Sequence, residues 1–453
     1  MRIRRQPMTP TRSVAAVLLL TFLSPARALA PTKGNGAAKS PAAARRVLEN
    51  GLTLISEIEA ATPTTAVQIL VRGGKRAQPA GREGMAFLTT RLAVEIPDED
   101  MVQDLVAMAS RFQVSVRGDY SIIQIECLSD QLEPTLKILA KIVGDPLFSG
   151  LRIDSVKKSA GHQGRIEEDD SVNLGHLTAL GAFSGTPGYG GSVYGSKESL
   201  QAIRGKDISE FYKKNFVAPN MVVAVSSDRQ DAAALVEKAL GIFPADPAPS
   251  PAQVAWRVPE KKEISLTKGT KQAFVSEAFL LPKLSPRTFV MGLLLESILG
   301  KGPGSRLWPL RAEKKLAYNV NAAATLMTEG GLIEAYLETD REKAVDAREA
   351  LRTVLSDLWR SGVTGDELEA ARVSVRGAFL RDNEVRPART HNLAAFEAQG
   401  LGLDLYSGLR EALAAVSLED LNAFLREVPD PERSVSVLIG PASEKSPGQS
   451  SRP

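Results

Sequence analysis

Leu200-Gln-Ala-Ile-Arg-Gly-Lys-Asp-Ile-Ser-Glu-Phe211 recurs 213 residues later as Leu413-Ala-Ala-Val-Ser-Leu-Glu-Asp-Leu-Asn-Ala-Phe424. The two segments align without a gap, and Leu, Ala, Asp and Phe recur in register. At the same offset, Met221 to Val225 falls on Ser434 to Leu438, so an amphipathic helix followed by a short strand is predicted in each half. A repeat of this length indicates a duplicated domain and not a solenoid.

A proline-rich stretch separates the two copies. Pro244-Ala-Asp-Pro-Ala-Pro-Ser-Pro-Ala-Gln253 has little periodicity, which predicts an extended linker. We therefore predict one domain over residues 47–243, a linker over 244–262 and a second domain over 263–441. Residues 31–46 are predicted to be a flexible segment and residues 442–453 a disordered tail.

Strands and helices are interspersed in both halves. The predicted elements are strands at Thr53 to Glu57, Ala66 to Val71, Ala273 to Leu280 and Gly331 to Glu338, a helix from about Gly84, and a helix from Glu342 to Ser361 with a cap-like Asp340. They do not follow a strict βαβ order, so we expect α+β domains built on largely antiparallel sheets. Two such domains facing each other would enclose a cleft.

The first thirty residues have the features of a signal peptide. Four arginines precede the apolar run Val14 to Leu23, and Ala28-Leu29-Ala30 follows as a cleavage site. Export to the periplasm or the medium is therefore expected, with no membrane-spanning segment in the mature chain. Cleavage would leave 51 basic and 53 acidic residues, so the formal charge would change from +3 to about −2. This balance, with 5% aromatic residues, argues against a nucleic-acid partner.

The single cysteine, Cys127, falls in an alternating pattern from Ile122 to Leu128 that is typical of a half-buried strand. It cannot form an internal disulfide. We interpret it as a small buried hydrophobic residue, because no histidine lies beside it in the sequence. The sequence contains no cysteine cluster that could hold zinc.

Four local stretches, in this order, resemble the M16 (insulinase and mitochondrial-processing-peptidase) metallopeptidase family. They are Asn50 to Leu54, Gly73-Gly74-Lys75 with Gly84 to Leu92, Phe211-Tyr212 with Ala218 to Val223, and Gly302 to Arg311 with Leu316 to Val320. The resemblance spans about residues 47 to 441. It implies two homologous α/β-sandwich domains, of the LuxS and metallohydrolase type, arranged as a clamshell.

The second stretch decides the expected chemistry. Active members of the family carry H-x-x-E-H on the helix after this glycine, where two histidines bind zinc and the glutamate acts as base. The corresponding positions here are Phe87, Thr90 and Arg91. Phenylalanine cannot ligate a metal, arginine repels a divalent cation, and threonine is too weak a base. The resemblance therefore implies a chain without its own zinc site or catalytic residue.

The family's third zinc ligand is a glutamate on a later helix. Glu167 or Glu168 lies at about the right distance, although the alignment could also place Gly161 or Gln163 there. A lone carboxylate is not a zinc site, so Glu167 to Asp170 is interpreted as a solvated acidic helix end. The three histidines, His162, His176 and His391, are too scattered to rebuild the motif.

The second half keeps an arginine and a tyrosine that contact the substrate backbone in the family. Arg311 and Tyr318 are seven residues apart. A guanidinium and a phenol can donate to a peptide carbonyl or to the oxyanion that forms on attack. The competing interpretation is a surface arginine paired with Glu313 and a tyrosine packed in a strand.

The glycine-rich segment Gly300-Lys301-Gly302-Pro303-Gly304-Ser305 is not a phosphate loop, because it lacks the G-x-x-x-x-G-K-[ST] pattern. We interpret it as a turn whose Ser305 caps a helix beginning near Arg306. The other possibility is a mobile loop that meets substrate through Gly300, Gly302 and Gly304, as in some processing-peptidase subunits.

Three functions remain open from the sequence. The first is a half-size non-catalytic subunit that forms a heterodimer with a zinc-bearing H-x-x-E-H subunit and contributes to peptide hydrolysis in a shared chamber. The second is a structural or peptide-binding homologue with no role in hydrolysis. The third is a self-sufficient hydrolase with another metal or nucleophile, for which no Ser/His/Asp or Cys/His constellation can be picked out.

Overall fold

A computed structural model describes residues 43–185, 188–250, 253–260, 262–428 and 433–440. The predicted signal peptide and C-terminal tail lie outside these described residues. All described residues belong to one compact unit. No helix among them is long and apolar enough to cross a membrane.

The first sheet has six strands in the order β1-β2-β6-β3-β5-β4. Their bounds are β1 Ala44–Val47, β2 Thr53–Ile58, β3 Thr64–Arg72, β4 Arg111–Val116, β5 Tyr120–Leu128 and β6 Met221–Ser227. Strand β6 is parallel to β2, and the other neighbours are antiparallel. Strands β3 and β6 are buried almost throughout, as expected for central strands with both faces covered.

The second sheet repeats this topology with five strands in the order β7-β11-β8-β10-β9. The bounds are β7 Lys262–Thr267, β8 Ala273–Leu281, β9 Asn319–Met327, β10 Gly330–Thr339 and β11 Val435–Gly440. Strand β11 is parallel to β7 and antiparallel to β8, as β6 is to β2 and β3. The strand that follows the repeated helix therefore inserts at the same place in both sheets, and the predicted α+β class is confirmed.

Sixteen helices are described. They are α1 Met85–Ala93, α2 Glu99–Ala107, α3 Leu132–Gly144, α4 Gly150–Asp169, α5 Ser171–Ser184, α6 Lys197–Ala202, α7 Gly205–Asn215, α8 Ala232–Leu240, α9 Pro286–Gly300, α10 Trp308–Ala312, α11 Ala344–Ser361, α12 Gly365–Asp382, α13 Arg386–Ala398, α14 Gly402–Ser407, α15 Leu409–Ala415 and α16 Leu418–Glu427. The repeated segments contain the first part of α7 and the first part of α16. The helix predicted from Glu342 begins at Ala344, after a 3₁₀ turn over Arg341–Lys343.

Each half covers one face of the other half's sheet with a helix. Helix α13 of the second half packs its Leu393, Ala394 and Ala395 on the first sheet. Helix α5 of the first half packs Leu180 and Phe183 on the second sheet. The two halves are therefore interlocked by exchanged helices, because each apolar sheet face is buried only when the other half is present.

Polar contacts anchor the exchanged helices. Arg386, at the start of α13, pairs with Glu59 at 2.8 Å, and Arg389 pairs with the buried Glu57 at 2.9 Å. On α5, the Nδ1 of His176 lies 2.8 Å from Oε2 of the buried Glu334 on β10. Each exchanged helix thus carries a charged or polar residue that contacts a buried or half-buried carboxylate of the other half.

Candidate functional site

The start of α1 is fixed by tight backbone packing. Gly84 precedes the helix with φ 93°, and a Cβ at this position would lie 2.7 Å from the backbone oxygen of Tyr194. The side-chain oxygen of Gln78 accepts hydrogen bonds from the amides of Gly84 and Ala86, both at 3.0 Å. These contacts set the direction in which the side chains of α1 project.

The three positions that correspond to the zinc motif make ordinary packing contacts. The ring of Phe87 packs edge-on against Tyr194, with 4.9 Å between ring centroids. Thr90 is fully buried and donates its hydroxyl to the backbone oxygen of Ala86 at 2.8 Å. Arg91 pairs with Glu95, one turn later, at 2.5 Å. None of these groups can ligate zinc. Each makes a packing, hydrogen-bond or ion-pair contact that is ordinary for a helix side chain.

Helix α4, which packs on α1, presents no complete ligand set. Its Gln163 and Glu167 are half-buried, and the Glu167 carboxylate accepts a hydrogen bond from the Ser192 hydroxyl. The prediction of a solvated acidic helix end is therefore wrong for Glu167. Asp170 caps α5 by accepting from the amides of residues 172 and 173. Among the described residues no group of three or more His, Cys, Asp and Glu side chains could hold a metal ion.

A cleft of about 530 Å³ adjoins this surface, lined by glycines 181 to 195 and by Lys75 and Glu168. The Lys75 ammonium donates to the backbone oxygen of Tyr189. Burial lowers the pKa of Lys75 to about 8, against the opposing attraction of Glu167. The lysine was missed by sequence reasoning, because its burial depends on the loop around Tyr189, more than a hundred residues away.

Arg311 and Tyr318 line one pocket of about 380 Å³ in the second half. Arg311 is exposed on α10, with its guanidinium carbon 5.3 Å from the ring centroid of Trp308. The side chain of Tyr318 is 54% exposed and directly precedes β9. Among the described residues Arg311 forms no ion pair, so the interpretation of an Arg311–Glu313 pair is wrong. The Arg311 guanidinium and the ring of Tyr318 are therefore accessible to a ligand.

Asp340 joins this pocket, although the sequence suggested a different role. Its carboxylate accepts from the Tyr318 hydroxyl at 2.7 Å and pairs with Lys343 at 2.8 Å. These hydrogen bonds raise the pKa of Tyr318 and of Lys343 and lower the pKa of Asp340. The predicted capping role of Asp340 is wrong, because its side chain makes no cap hydrogen bond. Instead, it orients the tyrosine.

The glycine-rich segment forms the turn between α9 and α10. Gly300 ends α9, and a Cβ there would lie 2.0 Å from the amide nitrogen of Ala322. Gly302 and Gly304 have φ of 82° and 92° and face open space. The predicted cap by Ser305 is wrong, since α10 begins at Trp308 with a proline in its first turn. Proline is favoured there because its missing N–H is not needed.

The cysteine and the histidines lie apart from these positions. Cys127 is buried, free and on β5, as predicted, and burial raises its pKa to about 11. His391 lies on α13, with its ring centroid 6.0 Å from that of Tyr120, and burial lowers its pKa to about 4. His162 is exposed on α4, whereas His176 contacts Glu334. The structure does not bring these side chains together as a metal site within the described residues.

The fold agrees with comparisons to known families. A family model described as "Insulinase (Peptidase family M16)" matches residues 53–186, and one described as "Peptidase M16 inactive domain" matches residues 202–374. Together the two matches cover more than half of the chain. The chain belongs to the M16 peptidase family.

Curated relatives are similar at low identity over most of the chain. An uncharacterized zinc protease of Mycobacterium tuberculosis is 24% identical over 432 residues, covering 93% of this chain and 95% of the relative. The non-peptidase homolog YmxG of Helicobacter pylori is 24% identical over 375 residues, covering 80% and 86%. Subunit 1 of the mitochondrial cytochrome b-c1 complex of Bos taurus is 26% identical over 187 residues, covering 40% and 38%.

Solved structures share the fold. The M16 inactive domain from Pseudomonas fluorescens superimposes with a TM-score of 0.80 at 21% identity, covering 90% of this chain and all of that chain. A chain of complex III2 from Candida albicans gives a TM-score of 0.76 at 17% identity, covering 88% and 95%. At these identities the likeness extends to the fold alone.

Proposed function

We propose that this chain is a non-catalytic M16 subunit that pairs with a subunit carrying an intact H-x-x-E-H motif and binds peptide substrates through Arg311 and Tyr318. One observation carries the proposal. Arg311 and Tyr318 are both exposed in a single pocket of the second half, whereas the zinc-motif positions of the first half, Phe87, Thr90 and Arg91, are occupied by residues that cannot ligate. The chain therefore has a pocket suited to binding substrate but lacks the side chains that would bind zinc.

The chemistry of this chain's own residues supports a binding role. An arginine and a tyrosine are donors that can hold a peptide carbonyl and stabilise negative charge developing on its oxygen. The Tyr318 hydroxyl gives its one hydrogen to Asp340 at 2.7 Å, so the phenol can donate to a peptide only after it turns away from Asp340. Within the described part of the chain, the Arg311 guanidinium is a free donor without such a change. The α1 residues do not fit a zinc ion, so the metal and its hydrolytic chemistry would belong to the partner subunit.

The proposed site of action is outside the cytoplasm. The arginines and the apolar run of the first thirty residues, followed by Ala28-Leu29-Ala30, motivate this part of the proposal. N-terminal sequencing of the protein recovered from a periplasmic or culture fraction would check it. Recovery of the intact chain from the cytoplasm would contradict export.

Co-expression with an H-x-x-E-H subunit from the same genome tests the pairing. The isolated chain should retain no stoichiometric zinc and cleave no peptide, whereas the mixture should show zinc-dependent cleavage. Arg311→Ala or Tyr318→Phe should lower the rate about a hundredfold without dissociating the complex. Arg311 is a free donor to the oxyanion, and the Tyr318 hydroxyl becomes one when it turns away from Asp340 in the substrate complex. Arg360→Ala is the matched control, since Arg360 is exposed on α11 and outside the pocket. Unchanged rates in both pocket variants would refute the shared site.

A second candidate is a structural or peptide-binding homologue with no role in hydrolysis. The similarity to subunit 1 of the cytochrome b-c1 complex and to the non-peptidase homolog YmxG favours it. In that case a stable complex with other subunits should form, yet no combination should cleave peptides. Copurification followed by a peptidase assay therefore separates the two candidates.

A further inference from the structure

We infer that the pocket around Arg311 and Tyr318 selects peptides that present a carboxylate, and that Lys315 supplies this selectivity together with Arg311. The inference rests on the proposed function, because it assumes that the pocket receives peptide. Four charged residues line the pocket: Arg311, Lys315, Lys343 and Asp340. Three of them are cationic and one is anionic, so the pocket has an excess of positive charge.

The excess is concentrated on two side chains. Lys343 is neutralised by its pair with Asp340, at 2.8 Å. Within the described ranges, Arg311 and Lys315 form neither an ion pair nor a side-chain hydrogen bond. Glu313 lies between them in the sequence but does not line the pocket. Two unpaired cations in one concave surface raise the local concentration of an anionic ligand.

The backbone at Lys315 gives a second, independent indication. Its φ is 52°, in the left-handed region that side-chain-bearing residues adopt at an energetic cost. Lys315 and Ala109 are the two non-glycine residues of the described chain with positive φ. Hydrogen bonds from Lys314 N to Pro309 O and from Leu316 N to Leu310 O hold the turn in this shape. Glycine would adopt this conformation without strain, so a lysine here suggests that the side chain has a use.

The dimensions and the remaining lining suit a peptide segment. A volume of about 380 Å³ lies within the range of small-ligand sites, which is roughly 300–1,000 Å³. Leu316 and Ala317 provide an apolar wall, and the Arg311 guanidinium provides free donors for a backbone carbonyl. A carboxylate next to that carbonyl would lie among the unpaired cations. The carboxylate could come from an acidic side chain or from the C-terminus of the peptide.

Fluorescence anisotropy on the isolated, full-length chain tests the inference with four labelled peptides of one length. They combine an acidic or an amide side chain (Glu or Gln) with a free or an amidated C-terminus. Peptides with a carboxylate should bind about five- to tenfold more tightly than the neutral amidated peptide, as expected for two exposed charge contacts. The preference should decline with added salt. If the Glu peptide with an amidated C-terminus binds more tightly than the neutral peptide, the pocket recognises an acidic side chain. If the Gln peptide with a free C-terminus does so, the pocket recognises the C-terminal carboxylate.

Lys315→Gly separates recognition from a structural role. It should weaken binding of the carboxylate peptides about threefold, leave the neutral peptide unchanged and raise Tm by about 1–2 °C, because the strained φ is relieved. Lys314→Ala is the matched control, since it removes a neighbouring exposed cation that does not line the pocket. A lower Tm for Lys315→Gly, or an equal loss in both variants, would overturn the assignment to Lys315.

Failure of this inference and failure of the proposed function give different results. Equal binding of acidic and neutral peptides, with both weakened by Arg311→Ala, would refute carboxylate selection and leave the peptide site intact. Binding of none of the peptides would refute the selectivity and the peptide site together. Cleavage by the co-expressed subunits then reports separately on the pairing.

Discussion

Replacing Arg386 with alanine should weaken the anchoring of the exchanged helix α13 on the first sheet. Its side chain is 5% exposed and donates to the Glu59 carboxylate at 2.8 Å. The guanidinium also donates to the backbone oxygens of Glu59 at 2.6 Å, of Thr62 at 3.0 Å and of Thr64. Truncation would leave a carboxylate and several carbonyl groups without their donor.

The size of the effect follows from the contacts that remain. Removing one partner of a fully buried ion pair costs about 3–5 kcal/mol of unfolding free energy, and this pair is only partly buried because the Glu59 side chain is 21% exposed. Glu59 would retain Arg389 at 3.0 Å and the amide of Ala61 at 2.8 Å, so the lower end, about 3 kcal/mol, is expected. For a cooperative unit of roughly 400 residues, an unfolding entropy of about 2.1 cal/mol/K per residue converts this into a Tm lower by about 4 °C.

Thermal and urea denaturation of the purified chain provide the assay, with Arg45→Ala as the matched control. Arg45 lies on β1 and also pairs with α13, through Glu397 at 2.9 Å, but it is 44% exposed. Its loss should cost less than about 1 kcal/mol, as is usual for a surface pair. Equal destabilisation by the two substitutions would refute a buried anchor at Arg386. Separate transitions for the two halves would refute the single cooperative unit.

The pH dependence of the same pair gives a further check. Hydrogen bonding by Arg386 lowers the pKa of Glu59 in the folded state. The stabilisation is therefore fully present above the unfolded-state pKa and is lost as the pH falls through the folded-state pKa. The difference in stability between the native protein and Arg386→Ala should shrink in acid. A difference that grows on acidification would contradict the pairing.

Three further predictions concern other positions. Gly300→Ala should lower the unfolding free energy by about 1–3 kcal/mol, because its Cβ would lie 2.0 Å from the Ala322 nitrogen. Gly302→Ala places its Cβ in open space at positive φ and should cost only about 1 kcal/mol. Equal losses for the two variants in urea denaturation would contradict the close approach at Gly300. Cys127 is buried with its pKa raised to about 11, so it should resist iodoacetamide at pH 8 in the native chain and react after denaturation. Mass spectrometry would detect the label, and labelling of the native chain would refute the burial of Cys127. His391, with its pKa lowered to about 4, should make the unfolding free energy fall from about pH 6.5 towards pH 4, because only the unfolded state binds the proton in that range. The slope should approach about 1.4 kcal/mol per pH unit. His391→Gln should lose this pH dependence, and a pH profile unchanged by the substitution would refute the role of His391.

The sequence predicted the local elements well where the pattern was local. Strand β2 begins at Thr53 as predicted, α1 begins directly after Gly84, and the strand predicted from Met221 begins there. The periodicity of apolar residues reports which face of an element is buried, and glycine marks a turn through its own backbone freedom. Among the predictions of local elements, the wrong ones concerned helix starts, at Ser305 and at Asp340. Ser305 lies before the N-cap residue of α10, and the Asp340 carboxylate accepts hydrogen bonds from Tyr318 and Lys343 instead of from a helix amide.

The candidate site was predictable in part. Arg311 and Tyr318 were recognised because the sequence around them resembles that of the M16 family, and Phe87, Thr90 and Arg91 because they stand at the positions of that family's zinc motif. Asp340 was not, because it reaches Tyr318 across the hairpin of β9 and β10, 22 residues along the chain. The backbone conformation of Lys315 was not predictable either, since it depends on hydrogen bonds that close the turn after α10.

The sequence alone determined that the chain is duplicated and that side chains able to ligate zinc are missing from the motif positions on α1. Both conclusions depend on residue identity and short-range order, which are written in the sequence. Only the tertiary structure decided that the halves exchange helices α5 and α13, and that two unpaired cations share a pocket with Tyr318. Those features depend on contacts between residues distant in the chain, because an apolar face or a charge does not specify its own partner.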